Sequence, residues 1–332
     1  MVTLATKWPN LLDLAKASDP DGKIATIVEI LNETNEILDD MVWMEGNLPT
    51  GHRSTIRTGI PEPTWRKLYG GVQPTKGTTR QVTDSCGMME AYAEVDKALA
   101  DLNGNTSEFR LIEDAAHIEG MSQSLADSLF FASETTEPEK FTGLAPRYNS
   151  LSASNAENII VGGGNSTDNT SIWLVVWGPQ TCYGIIPKGS KAGLQMNDKG
   201  QVTIENVDGA GGRMEAYRTH YRMDAGLTLR DWRYVVRIPN IDKSSLTADA
   251  SSGADLVDLM TQAIERVPSL TLGRPVFYMS RNTRTFLRRQ LVAKVKQSTL
   301  TMDMVAGKRV VAFDEIPVKR CDSLAADEAL VS

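Results

Sequence analysis

Three histidines and one pair of nearby carboxylates are the side chains with the clearest capacity for chemistry. His52, His117 and His220 lie 65 and 103 residues apart, and none has a second ligand at the spacing used by zinc sites or catalytic triads. This pattern predicts neither a metal site nor a cofactor site. Asp224 and Asp231 are close enough in sequence to form an acid–base pair, which leaves a hydrolase or carbohydrate-active enzyme as one alternative.

Two glycine clusters and one acidic turn resemble fragments of ligand-binding motifs. The run 162–164 and the cluster 209–212 lack the GxxxxGK[ST] spacing of a phosphate loop, so they are interpreted as turns between strands. Residues 19–22, with the sequence DPDG, begin like a calcium loop but lack its third carboxylate and its closing glutamate. A turn that precedes a helix is the better interpretation.

The composition is typical of a folded chain and predicts no general affinity for polyanions. The 332 residues are 41% apolar, and 35 basic side chains against 42 acidic ones give a net charge of −7. Such a balance disfavours strong phosphate or anionic membrane binding. No apolar run reaches the roughly 18 residues needed to span a bilayer, and we expect synthesis in the cytosol. The three cysteines, Cys86, Cys182 and Cys321, are expected to be reduced and buried.

The first 80 residues divide into an acidic segment and a basic one. Apolar residues recur at helical spacing over residues 21–44, which predicts an amphipathic helix in an arm that carries nine acidic and three basic groups over residues 1–45. Residues 46–80 contain six glycines and four prolines and reverse the charge to about five positive. This composition predicts a long extended loop or ribbon, and its length indicates that it serves a partner.

A long helix is predicted from about Thr106 to Ser133. Asn105 and Glu108 have the spacing of a capping box. One apolar stripe follows, formed by Leu111, Ala115, Ile118, Leu125 and Leu129. Residues 106–139 carry eight acidic groups against Arg110 alone, so the exposed face of this helix complements the basic loop in charge.

Strands are predicted over most of the remaining chain, from residue 159 onward. Short β-branched or aromatic runs predict strands at 159–161, 172–177, 182–186, 201–204, 234–238, 275–279 and 308–313. Helical spacing predicts two interrupting helices, one around residues 256–267 and one that begins near Asn282. A basic run from Arg274 to Lys296 holds no acidic residue, and a solvated or subunit-facing helix is favoured over nucleic-acid contact.

Several long stretches resemble the major capsid proteins of short-tailed double-stranded DNA phages. They read DDMVWMEGN, GHRSTIRTGIPEPTWRKLYGGVQPTKGTTRQVTDSCGMMEAYAEV, GLAPRYN, WGPQTCYGIIPKGSKAGL, RMDAGLTLRDWRYVVRIPNID and RPVFYMSRNTRTFLRR. The resemblance covers nearly the whole chain. It implies an α+β fold of the Hong Kong 97 type, with an N-terminal arm, an extended loop, a peripheral domain built on a long spine helix, and an axial domain.

The resemblance also implies a domain plan and a set of partners. The arm would span residues 1–45, the extended loop 46–90, the peripheral domain 91–151 and the axial domain 152–303, with 304–332 returning to the peripheral domain. The chain would be a non-enzymatic subunit of a virion, assembling with itself as hexamers and pentamers. It would contact packaged DNA weakly and non-specifically, with portal and cement proteins as further partners and no membrane. An encapsulin-like nanocompartment shell is the nearest alternative.

Charge complementarity predicts the interface. We expect the basic loop to lie on the acidic helix of a neighbouring subunit, with two aromatic residues as the apolar anchor. The expected interface residues are Arg53, Arg57, Trp65, Arg66, Lys67 and Tyr69 in the loop, and Glu113, Asp114, Glu119 and Asp127 on the helix.

Overall fold

The computed structural model describes residue 33 and residues 35–102, 106–205, 211–294, 300–305, 308–324 and 327–332. The chain divides into two compact units. Among the described residues, the first comprises residue 33 and those within 88–125 and 191–224, and the second comprises those within 35–87, 126–190 and 225–332.

The described residues form five α-helices and twelve β-strands. The helices are α1 (Ile37–Asp40), α2 (Lys97–Ala100), α3 (Thr106–Phe131), α4 (Leu256–Arg266) and α5 (Arg281–Lys294). The strands are β1 (Trp43–Glu45), β2 (Gly51–Gly59), β3 (Thr78–Asp96), β4 (Asn169–Trp177), β5 (Cys182–Ile186), β6 (Gln195–Glu205), β7 (Arg213–Leu229), β8 (Val235–Asp242), β9 (Arg274–Met279), β10 (Leu300–Val305), β11 (Lys308–Phe313) and β12 (Ile316–Arg320).

Strand β4 is the centre of the second unit. It lies between β8 and β9, antiparallel to both, and all nine of its residues are buried. A strand covered on both faces reads as a continuous apolar run rather than an alternation, which is what residues 172–177 show. Ile172, Leu174 and Val176 pack in one apolar core with Met260 of α4 and Leu287 of α5.

A buried ion pair fixes the opposite side of β4. Arg237 donates to the Glu328 carboxylate at 2.8 Å, and both side chains are about 5% exposed or less. The same guanidinium donates to the carbonyl of Tyr148 and lies over the ring of Trp173, 5.1 Å from its centroid. Ser171 donates to the other Glu328 oxygen. Both terminal nitrogens of Arg237 and both carboxylate oxygens of Glu328 have partners, although Nε of Arg237 has none among the described residues. This pairing offsets most of the cost of burying the two charges.

A second polar network holds α1 on the sheet. The Asp40 carboxylate accepts hydrogen bonds from Lys319 and from the Tyr278 hydroxyl, and the indole of Trp177 donates to that hydroxyl at 2.8 Å. Desolvation raises the pKa of Tyr278 well above its usual value, and the Asp40 charge acts in the same direction. The phenol therefore remains a neutral donor.

The helix predicted over residues 21–44 lies mainly outside the described residues. In the described part, helix α1 ends at Asp40 and residues Trp43–Glu45 form a strand, so the end of that prediction is wrong. Pairing with β5 explains the difference, because Trp43 aligns in parallel with Gly184 and tertiary pairing overrides the local helical pattern.

The glycine run at 162–164 packs against β8 instead of forming an open turn. The backbone N–H of Gly162 donates to the Pro239 carbonyl, and that of Gly164 donates to Asn240. A β-carbon on Gly164 would lie 2.7 Å from the Asn240 oxygen. This close approach of two backbones requires glycine. The backbone of the cluster at 209–212 is described only at 211 and 212.

The first unit has a small core of its own. Strands β6 and β7 form an antiparallel hairpin, with Gln195 aligned to Arg222 and Glu205 aligned to Arg213. Val95, Leu99 and Phe109 pack together with Tyr217 alongside them. The pairs Arg110–Asp198 and Arg218–Glu94 lie around this core at 2.7 and 2.6 Å.

Most of the predicted elements in the body are confirmed. Strands β4, β5, β8, β9 and β11 and helices α3, α4 and α5 match the predicted ranges to within a few residues. The strand predicted at 159–161 is wrong, because only Ile159 forms a bridge, to Arg237. The sequence pattern predicted no strand at the positions of the longest strands, β3 and β7, because charged residues and glycines interrupt their apolar alternation.

Candidate assembly surface on an exposed hairpin

The predicted basic loop is a β-hairpin. Strand β2 pairs antiparallel with β3, from Gly51 opposite Ser85 to Gly59 opposite Thr78, with one register shift near Arg57. The pairing explains how a segment rich in glycine and proline stays extended. Residues 60–77 form the tip between the two strands.

A tight turn organises the end of the tip. The backbone N–H of Gly70 donates to the Lys67 carbonyl at 3.0 Å, and Tyr69 between them has φ of 62°. This left-handed conformation costs a residue with a β-carbon about 1–2 kcal/mol. Two glycines follow directly, yet the strained position holds an aromatic residue. An observed outlier of this kind points to a function for the side chain.

The tip presents apolar side chains to solvent. Trp65 is fully exposed at 101% of its reference area, and Tyr69 is 96% exposed. Ile60 and Leu68 are each 82% exposed. Isolated exposed apolar residues are normal, but two aromatic and two aliphatic side chains within ten residues indicate a surface that meets a partner.

The basic side chains of the hairpin are exposed as well. Arg57, Arg66 and Lys67 are all exposed and form no ion pair within the part of the chain that the structure describes. Arg53 contacts the hydroxyl of Thr83 through its Nε at 3.3 Å. The structure therefore brings all six predicted loop residues onto one hairpin, with their charges available to a partner.

The base of the hairpin is fixed by a buried ion pair. Arg147 donates to the Asp84 carboxylate at 2.8 Å and also to the carbonyls of Thr142 and Leu227. His52 stands opposite Asp84 in the strand pairing and contacts the Tyr183 hydroxyl at 3.1 Å. Burial lowers the pKa of His52, and the Asp84 charge opposes that effect.

The predicted acidic residues all lie on α3, but some already have partners. Glu119 accepts from the Gln123 amide at 2.9 Å and from the backbone N–H of Glu33. Asp114 lies near Tyr221, and burial followed by the Asp114 charge raises the pKa of that phenol to about 12. Asp127 is exposed, and Glu113 is half-buried. The pairing of these residues with the loop of another subunit remains a prediction.

The exposure of the apolar stripe on α3 was not foreseen from the sequence. Leu125 is buried, but Leu111 is 69% exposed and Ile118 is 40% exposed, with exposed Ala115 between them. The 3.6-residue spacing identified the stripe correctly. It could not reveal that the N-terminal half of the stripe faces solvent, because a face that binds another subunit has the same pattern as a core face.

The alternative chemical sites have structural explanations. The Asp224 carboxylate accepts two hydrogen bonds from Arg222, and Asp231 accepts from Arg233. All three cysteines are free thiols, but only Cys182 and Cys321 are buried, so the expected burial of Cys86 is wrong. Burial raises the pKa of the Cys182 thiol to about 12. No group of three potential metal ligands occurs among the described residues.

No helix in the described part of the chain has the length and apolarity required to cross a bilayer.

His220 stacks on Tyr92, with ring centroids 4.5 Å apart, and contacts Glu90 at 3.2 Å. This histidine belongs to a cross-strand surface cluster of the first unit.

Comparison with known proteins identifies the family. The family model of major capsid protein GP7 matches residues 19–332. A chain in the structure of bacteriophage Epsilon15 is 38% identical, with complete coverage of both chains and a TM-score of 0.77. The bacteriophage JBD30 capsid is 9% identical, with 97% of each chain covered and a TM-score of 0.46. No curated protein sequence matches the chain.

The α+β fold of two units, the exposed hairpin and the long helix α3 thus occur in a chain that is similar over its full length to a chain of the bacteriophage Epsilon15 structure. The fold is of the Hong Kong 97 type, as the resemblance implied. The chain belongs to the major capsid protein GP7 family, and it assembles with copies of itself into the icosahedral capsid of a phage virion.

Proposed function

We propose that this chain acts only as a structural subunit, and that the hairpin tip is its main latch onto a neighbouring subunit. Trp65 and Tyr69 would cover the apolar stripe of α3 formed by Leu111, Ala115 and Ile118. The surrounding basic side chains would face the acidic residues of the same helix. Hexamers and pentamers would be built by repeating this overlap.

The observation that carries the proposal is the exposure of the tip. Burying an aromatic side chain removes about 150–250 Å² from water, and apolar burial stabilises by about 25 cal/mol per Å². Trp65 and Tyr69 retain nearly all of their exposed area in the single chain. Their burial against a partner therefore supplies the largest available stabilisation.

The charges are expected to orient the tip more than to hold it. An exposed ion pair contributes about 0–1 kcal/mol, so four pairs add little without the apolar contact. Their long-range attraction instead favours the correct approach and disfavours contact between like-charged surfaces. Because this attraction acts at long range, Asp114 and Glu119 can have partners within the chain and still contribute to the negative electrostatic potential around α3.

The remaining predicted roles follow from the same assignment. No catalytic turnover is expected, since the potential acid–base pair Asp224 and Asp231 is occupied by arginines. A net charge of −7 suits a container that contacts packaged DNA only weakly. A portal protein at one vertex and a cement protein outside the shell are the further partners that we propose.

Charge reversal tests the latch. In one variant Arg53, Arg57, Arg66 and Lys67 are all changed to glutamate, and in the control variant four exposed basic residues outside the hairpin are changed in the same way. The control residues are Lys188, Lys191, Lys199 and Arg266. Light scattering and electron microscopy of the purified proteins report shell formation, and circular dichroism reports folding.

The loop variant is expected to fold and to fail in assembly, while the control, with the same net charge, assembles. Reversal of Glu113, Asp114, Glu119 and Asp127 to lysine should partly rescue the loop variant. Normal shells with unchanged salt sensitivity in the loop variant would refute the electrostatic part of the latch. Replacing Trp65 by alanine tests the apolar part separately.

A further inference from the structure

Strand β2 is an edge strand, and its outer edge is only partly capped. Its hydrogen-bonded neighbour in the sheet is β3. On the other edge, the Asn47 side chain bonds both backbone groups of Arg53: the N–H donates to Asn47 Oδ1 at 2.7 Å, and the amide donates to the carbonyl at 2.8 Å. Asn47 thus replaces one residue of a missing strand.

In an antiparallel pair, the backbone groups of every second residue point away from the neighbouring strand. Since those of Arg53 point away from β3, those of Thr55 and Arg57 do so as well. Their N–H and C=O groups point to the edge that Asn47 caps. A groove begins there, lined by every residue from 55 to 60. Successive side chains of a strand point to opposite faces of the sheet. A groove lined by consecutive residues therefore runs along the edge of the strand and not along one face. It leaves space for an added strand beside Thr55 and Arg57.

The far wall of the groove is basic and partly aromatic. Gln180, Arg230, Trp232 and Arg233 line it together with Asp231. Asp231 holds Arg233 through a contact of 2.7 Å. With Arg57 on the near side, three guanidinium groups face one carboxylate. The groove therefore suits a segment that brings about two carboxylates.

We propose that this groove binds an extended, carboxylate-bearing segment of a second, different protein of the particle by strand addition to β2. Main-chain hydrogen bonds to Thr55 and Arg57 would give the register. Side chains on one face of the added strand would pair with Arg230 and Arg233, and those on the other face would pack near Trp232.

The charges of this chain argue against another copy as the occupant. Carboxylates on strands β3, β6 and β7 already have partners, for example Glu94 with Arg218, Asp198 with Arg110 and Glu215 with Thr203. Residues 1–32 carry four acidic and three basic groups, so they are nearly neutral. The proposal does not depend on the latch, because the groove and the tip use different residues except at Arg57 and Ile60.

Peptide binding to the purified protein tests this proposal. The probe is a fluorescent peptide of about eight alternating valine and glutamate residues, long enough for one strand. Three further peptides serve for comparison: the valine–lysine analogue, the valine–glutamate peptide N-methylated at alternate residues, and residues 1–32 of this chain. Fluorescence anisotropy is measured with wild type, with the double variant Arg230→Glu and Arg233→Glu, and with a Lys188→Glu, Arg266→Glu control.

The valine–glutamate peptide is expected to bind wild type and the control equally. N-methylation and the groove variant should each weaken binding about tenfold, or about 1.4 kcal/mol. Absence of binding, or binding that neither change affects, overturns the proposal. Tighter binding of residues 1–32 also overturns it and identifies a second copy as the occupant. Because these variants keep the tip intact, their assembly into shells separates failure of this proposal from failure of the latch.

Discussion

The buried network around β4 and the hairpin tip contain the same residue types, arginine and tryptophan, but in opposite environments. In the body, Arg237 is enclosed by Glu328, the Tyr148 carbonyl and the Trp173 ring. In the tip, Arg66 and Trp65 are exposed to solvent. A guanidinium beside an aromatic ring stabilises the single chain where a carboxylate and carbonyl groups of the same chain accept its hydrogen bonds. Where these groups remain exposed, their interactions are available to another chain.

Loss of the buried carboxylate should have the largest effect on stability. Replacing Glu328 by alanine leaves Arg237 charged and without its main partner in the interior, which typically costs about 3–5 kcal/mol. Urea denaturation of the unassembled protein measures the change. Glu157→Ala, at an exposed glutamate, is the control and should change stability by less than about 0.5 kcal/mol. Equal stability of the two variants would show that the network does not hold the body together.

A methyl group added to a body glycine should have an intermediate effect. In Gly164→Ala the new β-carbon would meet backbone atoms of Asn240 and Asp242 at 2.7 Å, and such overpacking costs about 1–3 kcal/mol. Gly71→Ala in the tip is the matched change, because nothing lies within 4 Å of that position. We expect thermal denaturation to separate these two variants. Similar melting temperatures would contradict the close approach of the 162–164 run to β8.

Changes at Tyr69 should affect assembly and leave stability nearly unchanged. Tyr69→Asn removes the ring but keeps a residue that tolerates a positive φ, so the unfolding free energy should stay within about 0.5 kcal/mol of wild type. Shell formation, followed by light scattering, should nevertheless be lost. Tyr69→Phe retains the ring and should assemble. If Tyr69→Asn assembles as well as wild type, the strained aromatic residue has no role in the latch.

The smallest expected effect is a dependence on pH at the hairpin base. The pKa of His52 in the folded chain lies below its usual value of 6.5, so the unfolded chain binds the proton more readily. Stability is then fully present above 6.5 and declines as the pH falls toward the folded pKa. Comparing melting temperatures of wild type and His52→Gln across this window isolates the contribution, and the variant should show the weaker decline. If the melting temperatures of wild type and variant fall in parallel with pH, His52 is not the source of the pH dependence.

Most strands of the body could be predicted from the sequence, whereas the two hairpin strands were predicted only as an extended loop or ribbon, for a physical reason. Residues 172–177 and 182–186 are apolar because both faces are buried, so composition alone reveals them. Strand β3 is held by pairing with β2, a long-range backbone contact that leaves little trace in hydrophobicity. The predicted interface residues share the hairpin, but neither the exposure of Leu111 nor the capping role of Asn47 has a signal in one sequence.

The full exposure of Trp65 gives the protein an internal optical reporter. Indole fluorescence shifts to shorter wavelength when the ring leaves water, whereas Trp173 and Trp177 are already buried and should change little on docking of the tip. A blue shift during shell growth that is absent in a Trp65→Phe variant would follow the tip of each subunit as it docks. The time course of that emission could then separate the meeting of subunits from the closure of the particle, two events that light scattering records together.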